Sequence, residues 1–563
     1  MKIRNWLLTF SLVIVPVVAS AADRVGDFAL LDQHGYFHHM SWYDDHDAVV
    51  FLVQANGSDT LKAALPAYAR LKARFEEQGV EFFLLNPMGK LNRDAVAKEI
   101  TALGMDIPVL MDDAQVVADA LGVTQVGEVL IYDPKAFTVE FRGPVGAELE
   151  QALEAVTSGS DIASTEVAFS GEPVIYGYRS ANVSYAKDIA PIIADNCASC
   201  HREGGIAPFA LDGHSMAQGW SPMIREVVMT KRMPPAQVDP HIGNFSNAMN
   251  LSDEEVQKLM LWIEAGSPME GADDPLAQLT WPETEWAFGE PDFVIDIPEQ
   301  NVPSTGVLDY INLVVPIDID EDKWVRGSQY VAGDHTVLHH TITRVIGPEG
   351  DRQTRGGSDD VANIAGYIPG AEPRLEEPNT GGLLKAGSSL AVQLHYTTNG
   401  METTDASKIG LWFYPDGVVP TERMSGQCAC IFTRNWTDIP AYHPNFEQTA
   451  SITIDRDAYL YGHYAHMHFR GKYMRFYADY PDGTREELIN IANYSYNWQL
   501  NYEYAEPKYV PAGTKITAVG AFDNSPQNPA NPDPSRTLGW GEQSWDEMFF
   551  GSSRWKYIDQ GGD

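Results

Sequence analysis

The spacing of apolar residues changes twice along the chain and divides it into three segments. In residues 22–156, short apolar runs alternate with stretches whose apolar positions recur every three to four residues. This is the pattern of strands alternating with amphipathic helices, and it predicts an α/β domain. The expected strands are 48–54, 80–86, 109–111 and 129–133, and the expected helices are 61–78, 94–103 and 115–121.

A stretch rich in Ser, Gly and Thr, residues 157–180, follows this domain and has the composition of a linker. Residues 181–275 show helical periodicity and predict an all-α domain. Its third helix has a strong start signal, because Ser252 and Glu255 form a capping box, and Gly266 is placed to end it. The helices are expected at 185–195, 215–230 and 253–265.

Beyond about residue 285 the pattern changes to short strands separated by Gly, Pro, Asn and Asp. This is typical of an all-β sandwich. The region is long enough for two jelly-roll-like lobes, which we place at residues 276–435 and 436–563. The chain is therefore predicted to be multidomain, and its 563 residues suit three or four domains.

The chain carries 39 basic and 78 acidic side chains, a formal net charge of −39. A surface this acidic repels phosphate backbones and anionic lipid, which argues against nucleic acid as a partner. It suits a salty milieu or a basic electron-transfer partner, and the charge alone does not distinguish these two.

Residues 1–21 have the three parts of a secretory signal peptide: the charged Lys2 and Arg4, an apolar run over 7–18, and the small residues 19–21. The apolar run is too short to span a bilayer, although a retained anchor is the alternative. No later stretch reaches the roughly 18 apolar residues that a spanning helix needs. We therefore expect a periplasmic or secreted protein that is not an integral membrane protein.

Only four cysteines occur, in two close pairs, which excludes a scaffold stapled by disulfides. The run from Cys197 through Cys200 to His201 reads Cys-Ala-Ser-Cys-His, the c-type haem attachment signature. The alternatives are a zinc ribbon and a thioredoxin-like cysteine pair. A zinc ribbon needs two more thiols or imidazoles at matching spacing, and none lies nearby in the sequence. The second pair, Cys428 and Cys430, forms a disulfide, stays structural or offers soft ligands for Cu(I).

Eight of the 15 histidines lie between residues 335 and 468, more than a solvated sandwich requires. His466 and His468 are two residues apart on an expected strand, so both imidazoles face one side and can chelate one ion. His339 and His340 are adjacent and face opposite sides unless the strand is bent there, and His395 ends an apolar strand. Imidazoles without nearby carboxylates favour copper or zinc over magnesium or calcium.

The first segment resembles the thioredoxin and peroxiredoxin-like family in the order of its elements and in the strand–loop–helix of residues 49–78. The family's redox cysteines would lie in loop 54–59, which reads Gln-Ala-Asn-Gly-Ser-Asp. The neighbourhood of its cis-proline, residues 125–128, reads Gln-Val-Gly-Glu. Without a thiolate there is no thiol–disulfide or peroxidase chemistry, so we expect a docking or structural module.

Residues 181–275 resemble the cytochrome c family, which takes its second iron ligand from a downstream methionine. The resemblance implies Met233, which two prolines follow and hold in an extended loop. The less favoured candidates are Met249, His214 and His241. Three methionines at helical spacing are expected in the core: Met216, Met223 and Met229. Ligation of iron by His and Met raises the reduction potential and suits electron transfer.

Residues 285–552 resemble the copper type II, ascorbate-dependent monooxygenases, whose members include peptide-amidating and dopamine-hydroxylating enzymes. The family's His-His pair, lone His, His-x-His and late Met occur here in the same order. The resemblance implies two copper sites, His339 with His340 and His395, and His466 with His468 and Met548. The first copper would store and pass an electron. The second would bind O₂ and abstract hydrogen from a substrate C–H bond.

The resemblance thus implies a monooxygenase with two coppers, and the family usually takes its electrons from ascorbate. Because the haem and copper modules share one exported polypeptide, we expect the covalent haem c to supply these electrons instead, with a periplasmic protein as a candidate donor. Peptide-amidating relatives hold a carboxylate with an Arg where this chain has Tyr464, and Phe550 and Ser552 occupy two further substrate positions. These residues favour a small apolar or amine-bearing substrate. The alternatives are a non-catalytic haem and copper electron-transfer or copper-binding protein, and an enzyme that passes electrons outward to a partner.

Overall fold

A computed structural model of the chain describes residues 24–89, 93–235, 238–282, 285–350, 361–370 and 373–558. The predicted signal peptide, residues 1–21, lies outside the described residues. Among those described, no helix combines the length and the apolar content needed to cross a bilayer.

The first segment folds around a seven-stranded sheet of order β2-β1-β5-β4-β3-β6-β7, in which β3, β4 and β5 run parallel. The prediction of an α/β domain is confirmed. Its elements are β1 (Ala29–Asp32), β2 (Phe37–His39), β3 (Ala48–Val53), α1 (Asp59–Phe75), β4 (Val80–Asn86), α2 (Arg93–Ala102), β5 (Val109–Met111), α3 (Val116–Ala120), β6 (Val129–Asp133), β7 (Thr138–Gly143) and α4 (Ala147–Ser158).

The central strand β3 and the helix α1 show why this sequence forms a layered domain. All six residues of β3 are buried, because a strand covered on both faces is apolar throughout. The hydroxyl of Tyr68 in α1 donates to the carbonyls of Val50 at 3.0 Å and Phe83 at 2.7 Å. Ser58 begins the helix by accepting a hydrogen bond from the amide of Leu61.

The predicted linker, residues 157–180, packs along the α/β domain. The amide of Val126 donates to the carbonyl of Glu172 at 2.8 Å, and the amide of Val174 donates to the carbonyl of Thr124 at 2.9 Å. These bonds place the segment beside the loop that leads into β6.

The helical segment contains α5 (Ala190–Asn196), α6 (His214–Gly219), α7 (Ser221–Met229) and α8 (Asp253–Glu264). A π-helical turn leads into α5, and the predicted capping box begins α8. The expected single helix over 215–230 is wrong, because the chain breaks between α6 and α7. Pro222 lies in the first turn of α7, where a backbone N–H has no partner within the helix, so its absence costs nothing. Inside one continuous helix, the same proline would remove a hydrogen bond and interrupt the helix.

This break also changes which methionines are buried. Met216 and Met223 are 36 % and 43 % exposed, so the prediction that they lie in the core is wrong. Met229 is buried, as predicted. The prediction from residue spacing assumed that all three methionines lie on one face of a continuous helix. Because α6 and α7 are separate helices, the three methionines do not share one face.

The β region forms two sandwiches with separate cores. The first joins a β10-β15-β12 sheet to a β13-β11-β17-β8 sheet, with β14 beside β11 and a small β16-β9 sheet. Its strands are β8 (Phe293–Asp296), β9 (Gln300–Val302), β10 (Ile311–Pro316), β11 (Lys323–Val331), β12 (Leu338–Ile346), β13 (Arg374–Leu375), β14 (Gly382–Leu384), β15 (Ser389–Tyr396), β16 (Thr403–Asp405) and β17 (Lys408–Phe413).

The second sandwich joins a β18-β25-β20-β23 sheet to a β19-β24-β21-β22 sheet. β18 falls inside the predicted first lobe, yet it pairs with β25 along its whole length, so the second sandwich begins earlier than residue 436. Its strands are β18 (Ser425–Ile431), β19 (Phe446–Ile454), β20 (Ala458–His466), β21 (Gly471–Asp479), β22 (Arg485–Ile491), β23 (Asn501–Val510), β24 (Thr514–Phe522) and β25 (Phe549–Tyr557).

A buried carboxyl group gives the α/β domain a predicted pH dependence. Asp112 accepts a hydrogen bond from the amide of Ala118 at 2.7 Å, and burial raises its pKa to about 7. The unfolded chain releases this proton near pH 4 and the folded chain near pH 7, so this group's contribution to stability is lost as the pH rises between these values.

We expect Asp112→Asn to unfold at a higher temperature than the wild type at pH 8, with the difference narrowing toward pH 4. Asparagine keeps the acceptor oxygen and cannot ionise. Scanning calorimetry across this range measures the effect, and the exposed Asp106→Asn is the control. A difference in unfolding temperature between Asp112→Asn and the wild type that does not vary with pH would contradict the raised pKa of Asp112.

Candidate metal and haem sites

A β-bulge in β12 allows two adjacent histidines to face the same side. The pairing of β12 with β15 shifts register between Leu338 and His340, so His339 is the extra residue. His340 then lies directly opposite His395 on β15. The bulge provides the bent strand that the adjacent pair requires.

The three imidazoles form a compact buried cluster. Nδ1 of His340 lies 3.1 Å from Nδ1 of His339 and 3.3 Å from Nδ1 of His395. One ligand nitrogen from each ring lies within 4.8 Å of the other two, and all three residues are less than 9 % exposed. This arrangement can hold one metal ion, and its all-nitrogen donor set suits copper or zinc.

Burial keeps these imidazoles neutral. It lowers the pKa of His339 to about 4 and the pKa of His395 to about 3. Burial also holds the pKa of His340 well below its usual value, with smaller contributions from the neighbouring histidines. A metal needs the lone pair of a neutral imidazole. The residues therefore fit the kind of ion that the family resemblance implies.

Aromatic and amide side chains fix the orientation of the triad. Tyr310 packs edge-on against His395, with ring centroids 4.6 Å apart. Oδ1 of Asn497 lies 3.2 Å from Nε2 of His339. An amide oxygen only accepts, so Nε2 donates and Nδ1 of His339 carries the lone pair toward the other two rings.

His466 and His468 form the second cluster at the end of β20, with ring centroids 5.1 Å apart. Nδ1 of His466 donates to Oε1 of Gln499 at 2.5 Å, and Nδ1 of His468 donates to the carbonyl of Asp546 at 3.3 Å. Each bond makes Nε2 the nitrogen that carries the lone pair. The pair can therefore chelate one ion through two Nε2 atoms.

Met548 immediately precedes β25, the strand that pairs with β20. The pairing of these strands ends with His466 opposite Phe550, two residues after Met548. The buried carboxylate of Glu547 accepts a hydrogen bond from the amide of His468 at 2.9 Å. The role of Met548 as a ligand stays a prediction.

Tyr496 lies between the two histidine clusters. Its ring stacks on His339 with centroids 4.6 Å apart and meets His468 edge-on at 6.1 Å. The charge of His466 also contributes to the lowered pKa values of His339 and His340, after the larger effect of burial. The two clusters thus face each other across one aromatic ring.

The haem-type motif lies on the turn that ends α5. The amides of Cys200 and His201 donate to the carbonyl of Cys197 at 3.2 and 2.9 Å. Both thiols are free, and burial raises the pKa of Cys197 to about 12 and also raises that of Cys200. The turn presents the two unoxidised thiols and the imidazole that covalent haem attachment needs, so the residues fit this group.

A hydrogen bond determines which ring nitrogen of His201 is free to bind iron. Its Nδ1 donates to the carbonyl of Phe209 at 3.1 Å, which leaves Nε2 as the nitrogen with the lone pair. Met233 lies on the loop after α7, where its amide donates to the carbonyl of Val227 at 3.1 Å. Its role as the second iron ligand stays a prediction.

The helical segment contacts the first sandwich close to the histidine triad. Nε2 of His335 donates to the carbonyl of Gly205 at 2.8 Å. Thr341 of β12 exchanges backbone hydrogen bonds with Tyr367 at 2.8 and 3.1 Å. Burial raises the pKa of Tyr367, with smaller contributions from the charges of Asp405, Tyr330 and Cys200.

Three other histidines have polar partners away from both clusters. The partners are Ser267 for His214 at 2.9 Å, Asp113 for His241 at 2.6 Å and Ser553 for His463 at 2.9 Å. These bonds favour structural roles for the three rings, including the two that were alternative candidates for iron ligation.

In the α/β domain, hydrogen-bonded polar groups occupy the place where redox cysteines would lie. The Ser58 hydroxyl donates to the carboxylate of Glu172. The side-chain Nε2 of Gln54 donates to Oδ1 of Asn56 at 2.8 Å, and Oε1 of Gln54 accepts from Nδ2 of Asn86 at 2.6 Å. This network contains no thiol, and the docking or structural role of the domain stays a prediction.

A family model described as the AhpC/TSA family matches residues 21–146. The N-terminal domain is therefore a thioredoxin-like domain of this type, as the order of its elements predicted. The match covers less than a quarter of the 563 residues.

Several solved structures resemble about a quarter of the chain. They include a hypothetical protein from Sinorhizobium meliloti (21 % identity, 27 % of this chain, 90 % of that chain, TM-score 0.23), peroxidoxin BcpB from Mycobacterium tuberculosis (20 %, 24 %, 96 %, 0.22) and a thioredoxin-family thiol:disulfide interchange protein from Chlorobium tepidum (13 %, 23 %, 90 %, 0.20). No curated protein matches this chain.

Sequence reasoning missed the residues that orient the metal-type ligands. Tyr310, Tyr496, Asn497 and Gln499 match no motif, because their roles depend on where loops meet. The sequence offers one signal for them. Aromatic and polar residues alternate in residues 494–499, which read Tyr-Ser-Tyr-Asn-Trp-Gln, and a surface loop without a function would not need these aromatic side chains.

Proposed function

We propose that this chain is an exported copper-dependent monooxygenase that hydroxylates a C–H bond of a small organic substrate with O₂. In this proposal residues 181–275 are a c-type cytochrome domain, and 276–435 with 436–563 are the two lobes of the copper enzyme. Electrons reach the copper lobes through the chain's own haem domain.

One observation carries the proposal. The bulge at His339 turns two adjacent imidazoles toward His395, and this triad faces the His466 and His468 pair across Tyr496. A β-sandwich core does not require five imidazoles on facing surfaces, because burying each ring costs free energy unless it has a partner. Neutral imidazoles in these positions offer lone pairs, and a bound metal ion would supply the partner that each buried ring needs.

The donor sets suggest how the two clusters divide the work. Copper would supply O₂ binding and one-electron chemistry, and the haem would supply one electron at a time. His339, His340 and His395 offer nitrogen alone. His466, His468 and Met548 offer two nitrogens and a soft sulfur, which favours Cu(I) and leaves a coordination position for O₂.

The protein's own residues supply a short link between the haem-type motif and the triad. His335 donates to the carbonyl of Gly205 at 2.8 Å, and Gly205 lies four residues after His201 of the haem-type motif, whereas His335 lies four residues before His339 of the triad. This contact supports the proposal that the helical domain feeds electrons to the first copper site.

The substrate class follows from side chains beside the second cluster. Tyr464 lies opposite Ser552, and His466 lies opposite Phe550, on one face of the β20–β25 pair. Around His466 this face presents aromatic and hydroxyl groups, and its arginine, Arg554, lies further along β25 and is paired with Glu503 at 2.6 Å. The position whose arginine would hold a carboxylate in two hydrogen bonds carries Tyr464 instead. A small apolar or amine-bearing molecule fits it better than a peptide C-terminus.

Stopped-flow spectroscopy tests this function. Anaerobically reduced, copper-loaded protein is mixed with O₂ and a panel of amines and aromatic compounds. We expect the haem to be oxidised at the rate at which hydroxylated product forms, with one oxygen atom of ¹⁸O₂ in the product. Two electrons and two protons are consumed for each O₂, and water is the second product.

Each other outcome contradicts a stated part of the proposal. A haem that stays reduced while product forms excludes the electron relay. Turnover without O₂ in the presence of an acceptor dye indicates that electrons pass outward to a partner. Bound copper with neither O₂ consumption nor product indicates a non-catalytic electron-transfer or copper-binding protein.

A further inference from the structure

Cys428 and Cys430 form a disulfide on β18, the edge strand beside β25. Ala429 and Ile431 on the same strand are buried in the sandwich, whereas the two cysteines are half-buried. Residues two apart on a strand share one face. Both sulfur atoms therefore lie on the outer face of the sheet.

That outer face is the one that carries the second histidine cluster. Cys430 lies opposite Phe550 on β25, and Phe550 lies opposite His466 on β20. Directly paired residues point to the same side of a sheet. The ring of Phe550 lies between them, 5.6 Å from the imidazole of His466.

The distance across this row is short. Two strand spacings of about 4.8 Å place the backbones of Cys430 and His466 about 10 Å apart. Cys428 lies in the next row, opposite Ser552, which in turn pairs with Tyr464. The disulfide thus borders the surface that surrounds the proposed second copper site.

We propose that reduction of the Cys428–Cys430 disulfide creates a Cu(I)-binding dithiol site beside His466 and His468. Soft thiolates select Cu(I), and both sulfurs project from one strand face, where they can bind one ion together. The neighbouring cluster supplies the next ligands for an ion entering the protein. The use of this ion by the histidine cluster rests on the proposed function, whereas its capture by the thiols does not.

The chemistry balances with a dithiol or a phosphine as the reductant. A dithiol gives two electrons and two protons to the disulfide, whose S–S bond breaks to form two thiols, and is itself oxidised to a disulfide. A phosphine gives the two electrons, water supplies the two protons, and the phosphine leaves as its oxide. Binding of Cu(I) forms two S–Cu bonds and releases those protons, without a change in the oxidation state of the metal.

Copper titration of the full-length haem protein tests the site. One sample keeps the disulfide, and another is reduced anaerobically with a phosphine that is then removed. Cu(I) is titrated into both against the coloured chelator bicinchoninate. We expect the reduced protein to bind one more Cu(I) per chain, and copper X-ray absorption to show the added sulfur ligands.

The double variant Cys428→Ser with Cys430→Ser should bind the same amount of Cu(I) in both states, and Gln427→Ser on the same strand should behave as the wild type. Equal uptake by oxidised and reduced wild type overturns the inference, as does an increment that persists in the double variant. The wild-type comparison decides the matter if the variant does not fold. If the reduced protein binds the additional Cu(I) but consumes no O₂, the result supports this inference and contradicts only the proposed function.

Discussion

Replacing His340 with alanine should remove one of two coppers per chain and lower product formation by more than about 100-fold. His340 is the central ring of the triad, because its Nδ1 lies 3.1 and 3.3 Å from those of His339 and His395. Loss of a residue that only orients a metal ligand already costs about 10- to 100-fold in affinity or activity. Loss of the central ligand is expected to cost more.

Elemental analysis of copper-loaded protein, together with the rate of product formation, measures this effect. The haem should remain, because the attachment motif lies in another domain. His443→Ala is the matched control, since this histidine lies outside both clusters and its ring accepts a hydrogen bond from the nearby amide of Asn445. Retention of two coppers by His340→Ala, or loss of copper from the control, would contradict the triad.

Replacing both Cys197 and Cys200 with alanine should abolish covalent haem attachment completely. These are the free thiols on the turn after α5, and the bonds to the haem vinyl groups need both sulfurs. Each single variant should keep one bond and a shifted haem spectrum. Product formation driven by an external electron donor should fall with the loss of haem, while the copper content stays at two per chain.

Haem absorbance of the denatured chain gives the direct reading, because only covalently bound haem stays with the polypeptide. The other cysteine pair supplies the control, since Cys428→Ser with Cys430→Ser should keep its haem. Haem that remains on the chain without Cys197 and Cys200 would exclude the c-type assignment.

Local patterns predicted the α/β domain well, because its strands are covered on both faces and read as continuous apolar runs. The strands at 80–86, 109–111 and 129–133 were predicted at their observed bounds. The prediction of a single helix over 215–230 was wrong because the apolar periodicity continues across Pro222. Proline is tolerated in the first turn of a helix, so one helix ends before Pro222 and another begins there.

The candidate metal site shows what a sequence cannot supply. The spacing of His339 and His340 argued against a shared site, and only the bulge in β12 brings them together. A bulge depends on pairing with β15, more than 40 residues away in the chain, so no local pattern reveals it. The contact of Tyr496 with both histidine clusters depends in the same way on how two sandwiches pack.

Crystals of the copper-loaded protein, measured on both sides of the copper absorption edge, test the central claim most directly. The account predicts two anomalous copper peaks per chain, one among His339, His340 and His395 and one beside His466, His468 and Met548. A single peak elsewhere, or no copper at either cluster, would contradict it.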